Sequence, residues 1–123
     1  MNRQHRVFGP GPYRLLCDGI DVAAVAVADD SKSRGRGLLG TSGVVGALWI
    51  TRCPSVHMVG MRYPIDAATV DRDGRVLAVA TMRPWTGLTW PRRGGVATVE
   101  AAAGAFEEWG VAVGSVLVVE RGA

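Results

Sequence analysis

Apolar residues in this chain come in short runs broken by turn residues, with few stretches of helical spacing. Tyr13–Cys17 and Ile20–Ala28 flank Asp18-Gly19, and an Asp-Gly pair between two apolar runs predicts a hairpin. The character then changes. Asp29-Asp30-Ser31 offers N-cap residues, Lys32, Arg34 and Arg36 follow, and Leu38-Leu39 leads to Gly40. Acid at the start, base toward the end and glycine after it predict a short helix, which Gly35 and Gly37 limit to two or three turns. Gly46–Ile50 reads as a strand, and Val56–Arg62 as another that stops near Pro64. Ile65–Val70 and Val76–Met82 flank Asp71-Arg72-Asp73-Gly74-Arg75, the clearest turn in the chain. Pro84 ends the second of these strands, and Trp85–Gly95 reads as a loop. Val96–Ala101 is a further strand, Ala102–Trp109 a short helix stopped by Gly110, and Val116–Glu120 the last strand.

Seven or eight short strands and two short helices are therefore expected. Several connections are too short for a parallel crossover. The predicted fold class is all-β or β-rich: a compact sandwich or barrel-like antiparallel fold with two short helical insertions. Residues 1–12 end in Gly9-Pro10-Gly11-Pro12 and read as a flexible N-terminal arm, leaving 13–123 as a single domain. A length of 123 residues fits that division.

Composition sharpens this picture. Glycine supplies 17 of 123 residues without a Gly-X-Y period, which suits tight turns between strands and excludes collagen. Apolar residues make up 48% and charged residues 20%, which argues against disorder. The net charge is +3, and Lys32 is the only lysine among 14 basic residues. The arginines are scattered, with no run of four, so nucleic acid is not the expected partner. Cys17 and Cys53 are too few for a disulfide framework, and nothing in the sequence requires them to pair. No apolar h-region follows the basic N-terminal residues, and no apolar stretch approaches the roughly 20 residues of a membrane span. A cytoplasmic protein is expected.

The chemically distinctive residues gather in Cys53–Asp66. In an extended chain Cys53, His57 and Met61 share one face, each step being about 13 Å by strand rise, so a single strand cannot bring all three onto one ion. The only other histidine is His5, so no metal site is expected. Arg62 and Asp66 flank Tyr63-Pro64, and Arg83-Pro84-Trp85 sets a guanidinium beside an indole at a strand end. No phosphate-binding Walker loop and no nucleophile elbow is present, and no cofactor is expected. The expected site is a pocket where the Cys53–Asp66 segment meets Arg83-Pro84-Trp85. It is formed by Cys53, His57, Met61, Arg62, Asp66, Arg83 and Trp85 and is suited to a small anionic or polar ligand. This reading is of a small binding or accessory module and leans away from an enzyme. Two alternatives stand beside it: Cys53 as a nucleophile with His57 as its base, and an adapter for protein or nucleic acid that uses the basic arm.

Three segments carry a resemblance to a known family. They are Arg36-Gly37-Leu38-Leu39-Gly40; Cys53 through Asp66 running on to Val76; and Val99-Glu100-Ala101 with Gly104, Gly110-Val111 and Gly114. In order and spacing the chain resembles, over about residues 13 to 120, the DUF192 family of small bacterial and archaeal proteins named as of unknown function. The resemblance implies a compact β-rich sandwich or barrel-like fold with short helical excursions. It implies no reaction.

Overall fold

Asp18-Gly19 turns the chain between two strands paired antiparallel, Cys17 opposite Ile20, as the sequence predicts. The computed structural model describes residues 6–121. In chain order its strands are β1 (Val7–Phe8), β2 (Tyr13–Cys17), β3 (Ile20–Ala28), β4 (Gly43–Val44), β5 (Ala47–Ile50), β6 (Ile65–Val70), β7 (Val76–Met82), β8 (Ala97–Ala102) and β9 (Leu117–Arg121). Helix α1 (Ser31–Arg36) lies between β3 and β4, and α2 (Ala105–Trp109) between β8 and β9.

Seven strands form one sheet in the order β7-β6-β8-β5-β3-β2-β9. Its outer strands meet at one corner, where Arg75 bridges to Val116 and the Val76 amide donates to the Ser115 carbonyl at 2.8 Å. The fold is sandwich-like and not a closed barrel. Neighbours pair antiparallel except β3 and β5, which run parallel with Val25 opposite Ala47. Within this seven-stranded sheet the expected antiparallel pairing is broken at this one pair. The connection there contains α1, which gives the chain the length to return in the same direction.

The sheet is covered on both faces. Successive residues of a strand point to opposite faces. Accordingly Ala97, Val99 and Ala101 of β8 join Val25, Ala47, Ala68, Val70 and Phe106 of α2 in one cluster. Leu48, Ile50, Ile65 and Ala67 join Leu38, Met58, Met61 and Met82 in a second. With both faces covered, all six residues of β6 are buried.

The second cluster is roofed by α1 with the turn after it, and by residues 53–61. Asp30 caps α1, its carboxylate accepting from the Ser33 amide at 2.7 Å. Arg34 ties the helix to the end of β5, Nε donating to the Thr51 carbonyl at 2.7 Å and Nη2 to that of Arg52 at 2.6 Å. Residues 56–62, expected as a strand, form an irregular strap instead. Gly60 turns at φ +87°, the Met61 amide donates back to Met58, and only His57 makes a bridge, to Leu88. Within the segment expected as an arm, Val7–Phe8 pair in parallel with Gly43–Val44. Residues 1–5 lie outside the described residues.

Candidate functional site

The strap is held in place by hydrogen bonds to the start of β8 and to the loop after β7. The Cys53 amide donates to the Val96 carbonyl at 2.9 Å, and Thr98 Oγ1 donates to the Cys53 carbonyl at 2.7 Å. Further along, the Met58 amide donates to Gly87 at 3.0 Å and the Trp85 amide to Met58 at 2.8 Å. Between this strap and α1 lies a half-open cavity of about 220 Å³. Leu38, Leu39, Ile50, Val56 and Met61 supply its apolar lining, and Arg34, Arg36, Cys53, His57 and Glu100 its polar chemistry.

Glu100 is the unusual member. It stands mid-strand in β8, opposite Leu48 on one side and Ala67 on the other, and is only 5% exposed. Among the described residues its carboxyl has no hydrogen-bond or ion-pair partner; the one salt bridge is Arg14–Asp21, at 2.7 Å on the surface. A Cβ on Gly37 would stand 3.6 Å from Glu100 Oε1, so the glycine that ends α1, at φ +52°, lies directly over the carboxyl. Burial disfavours the carboxylate and pushes its pKa from 4.5 up to about 7. A carboxyl of this kind can hold or release a proton near neutrality.

The cavity brings together Cys53, His57 and Met61, three of the residues expected to form a site. The irregular path of the strap, with its turn at Gly60 ahead of Met61, makes this possible where an extended strand would not. Cys53 and His57 do not act on each other: the thiol donates to the Ser55 carbonyl at 3.2 Å, and His57 Nδ1 accepts from the Val59 amide at 3.2 Å. Burial pushes the Cys53 thiol up and the Glu100 charge pushes it the same way, against hydrogen bonds from Thr98 and Ser55 and the Arg34 charge. Neither fact favours a thiolate nucleophile.

The other four residues lie outside this cavity. Asp66 is buried and fully engaged, accepting from Thr81 Oγ1 at 2.6 Å and from the amides of Gly104 and Phe106 at 3.0 and 3.1 Å, which fixes the entry to α2. Arg62, Arg83 and Trp85 are exposed. Cys17 and Cys53 are both free thiols and belong to opposite faces of the sheet. Among the described residues no three His, Cys, Asp or Glu gather around one point. Nor is any described helix long and apolar enough to cross a membrane.

A family model described as DUF192, Uncharacterized ACR, matches residues 16–119. The chain belongs to the DUF192 family. None of the curated proteins matches it. Two crystal structures resemble this DUF192 protein in fold. One is of a protein of unknown function from Novosphingobium aromaticivorans DSM 12444, at 21% identity and a TM-score of 0.67, covering 78% of this chain and 74% of that one. The other is of a protein put forward as a transcription regulator from Sinorhizobium meliloti 1021, also at 21% identity, with a TM-score of 0.72, covering 87% of this chain and 91% of that one.

In this DUF192 protein, sequence reasoning missed Glu100 and Arg34 as site residues. The available signal was the alternation in β8, where Thr98, Glu100 and Ala102 share the face opposite Val99 and Ala101. A glutamate on the polar side of an alternating strand reads as solvent-facing until something is known to cover that side.

Proposed function

We propose that this DUF192 protein is a small-ligand-binding module and that the cavity over Glu100 is its site. One observation carries the reading: a carboxyl 5% exposed, with no partner among the described residues, borders a cavity that opens to solvent. Among the described residues no side-chain oxygen fully cut off from solvent lacks a partner, so the Glu100 oxygens reach the solvent of the cavity and can accept from whatever enters it. A ligand that donates to Glu100 supplies the missing partner and places its apolar part against Leu39, Ile50 and Met61. The cavity is smaller than the roughly 300–1,000 Å³ of drug-sized sites, which limits the ligand to a small polar molecule.

The test is a thermal-shift screen of small polar metabolites on the wild-type protein and on Glu100→Gln, with hits confirmed by calorimetry. Compounds that stabilise the wild type and lose most of that effect in the variant support the reading. If every confirmed binder stabilises both proteins equally, the site is elsewhere and the proposal fails.

A further inference from the structure

We infer that the cavity takes a small zwitterion with an apolar body, its ammonium group on Glu100 and its carboxylate on Arg34. The inference rests on the cavity being the ligand site and adds the ligand's chemical class.

Two groups of opposite charge line the same small space without reaching each other. Arg34 and Glu100 both border the cavity, yet no described ion pair joins them. Arg34 cannot simply swing across. Its Nε and Nη2 hold the Thr51 and Arg52 carbonyls at 2.7 and 2.6 Å, and these bonds tie α1 to the end of β5. A guanidinium has five N–H donors, so most of this one's remain available while its position is fixed. Its opposite number is fixed too, since Glu100 is set in the middle of the sheet between Leu48 and Ala67. A donor side and an acceptor side held apart by the fold form a dipolar cradle. A molecule carrying both an ammonium and a carboxylate satisfies both ends at once, and a singly charged one leaves an end unpaired.

The remaining walls choose the rest of the molecule. Leu38, Leu39, Ile50 and Met61 are apolar and face the same space, which favours an aliphatic body over a second polar group. The charged and titratable groups around the Glu100 carboxyl are Arg34 and Arg36 from α1, Cys53 and His57 from the strap, and Tyr63 beyond it. Cys53 and Tyr63 are both pushed up, chiefly by burial, so they are neutral near pH 7 and do not compete with the carboxylate for the ammonium. The proton that Glu100 holds below about pH 7 must leave for that ion pair to form.

Three probes of shared aliphatic shape decide the matter on the wild-type protein by calorimetry. L-leucine has both charged ends, 3-methylbutylamine only the ammonium, and 4-methylpentanoate only the carboxylate. L-leucine is expected to bind about tenfold or more tightly than either single-ended probe. Its affinity should rise as pH is raised through about 7 and lose that rise in Glu100→Gln. The inference is overturned if a single-ended probe matches L-leucine, or if L-leucine fails to bind at about 10 mM while the metabolite screen yields binders that need Glu100. That second pattern leaves the cavity as the ligand site. Binders indifferent to Glu100→Gln overturn the cavity reading and the zwitterion with it.

Discussion

Replacing Glu100 by glutamine tests the buried carboxyl without reference to any ligand. Glutamine keeps the size and shape of the side chain and removes its proton equilibrium. In the folded protein the group ionises at about 7, in the unfolded chain near 4.5. Below pH 4.5 the carboxyl is neutral in both states and does not bear on stability. Between 4.5 and 7 the unfolded chain has released the proton while the folded protein still holds it, so wild-type stability falls as pH rises. Above about 7 the loss is complete, and a displacement of this size corresponds to about 3 kcal/mol. Glu100→Gln lacks the whole effect. The variant is therefore expected to gain on the wild type as pH is raised, by about 3 kcal/mol between pH 4 and pH 8. At about 4 °C per kcal/mol for a chain of this size, the melting temperatures should separate by about 12 °C over that range. The amide's own fit adds an offset that is the same at every pH. Arg34, Arg36, Cys53, His57 and Tyr63 are present in both proteins, so their contributions largely cancel in the difference. Calorimetric melting of the two proteins in matched buffers gives the result directly. A separation that stays constant from pH 4 to pH 8 would show that Glu100 is not held protonated by burial, and the reasoning about its site would fall with it.

Other residues give sharper negatives. Asp66→Ala leaves two amides of the α2 entry and the Thr81 hydroxyl without their acceptor, and should cost about 3 kcal/mol in denaturant unfolding; a loss under about 1 kcal/mol would mean these bonds do not hold the helix. Cys53 should alkylate slowly with iodoacetamide, with a midpoint above the ordinary thiol value of about 8.5, and a midpoint at or under about 7 would restore the nucleophile reading. Arg62→Ala and Arg83→Ala, both on exposed side chains, should change stability by no more than about 0.5 kcal/mol and leave the affinity of a cavity ligand unchanged. A tenfold loss of that affinity in either variant would place the site nearer to the Arg83-Pro84-Trp85 corner.

Local chemistry explains which elements could be read in advance. Tyr13–Cys17, Ile20–Ala28, Ile65–Val70 and Val76–Met82 begin and end where the alternation and the Asp-Gly turns place them. The parallel pairing of β3 with β5 was not legible, because it depends on where the chain returns after α1 and not on any residue of the two strands. Residues 56–62 misled for the opposite reason. Their apolar alternation satisfies the strand pattern, yet Gly60 at φ +87° turns the chain, and the strap takes its hydrogen bonds from Gly87, Trp85 and Thr89 instead of from a neighbouring strand. The irregular path of residues 53–61 as a whole brings Cys53, His57 and Met61 to one cavity, which an extended strand does not do.

Glu100 was hidden by a rule that is right for most sheets. On a strand with one wet face, a glutamate among alanines and valines is an unremarkable solvated residue. Here α1, the Gly37–Leu39 turn and the strap cover that face, and they do so through long-range contacts such as Arg34 to Thr51 and Thr98 to Cys53. The cover converts a surface carboxyl into a buried one whose ionisation costs about 3 kcal/mol, a large part of the roughly 5–15 kcal/mol by which a domain is stable. An alanine or valine at the same position would avoid that cost, as Ala67 and Leu48 do on the neighbouring strands of the same face. Stability therefore gives no reason for a carboxyl there. What the position does offer is an acceptor held by the sheet, in a space that opens to solvent and is also lined by a guanidinium fixed on the Thr51 and Arg52 carbonyls. The proposed ligand gives the position a use that stability does not, since a group donating to Glu100 favours the carboxylate that burial disfavours.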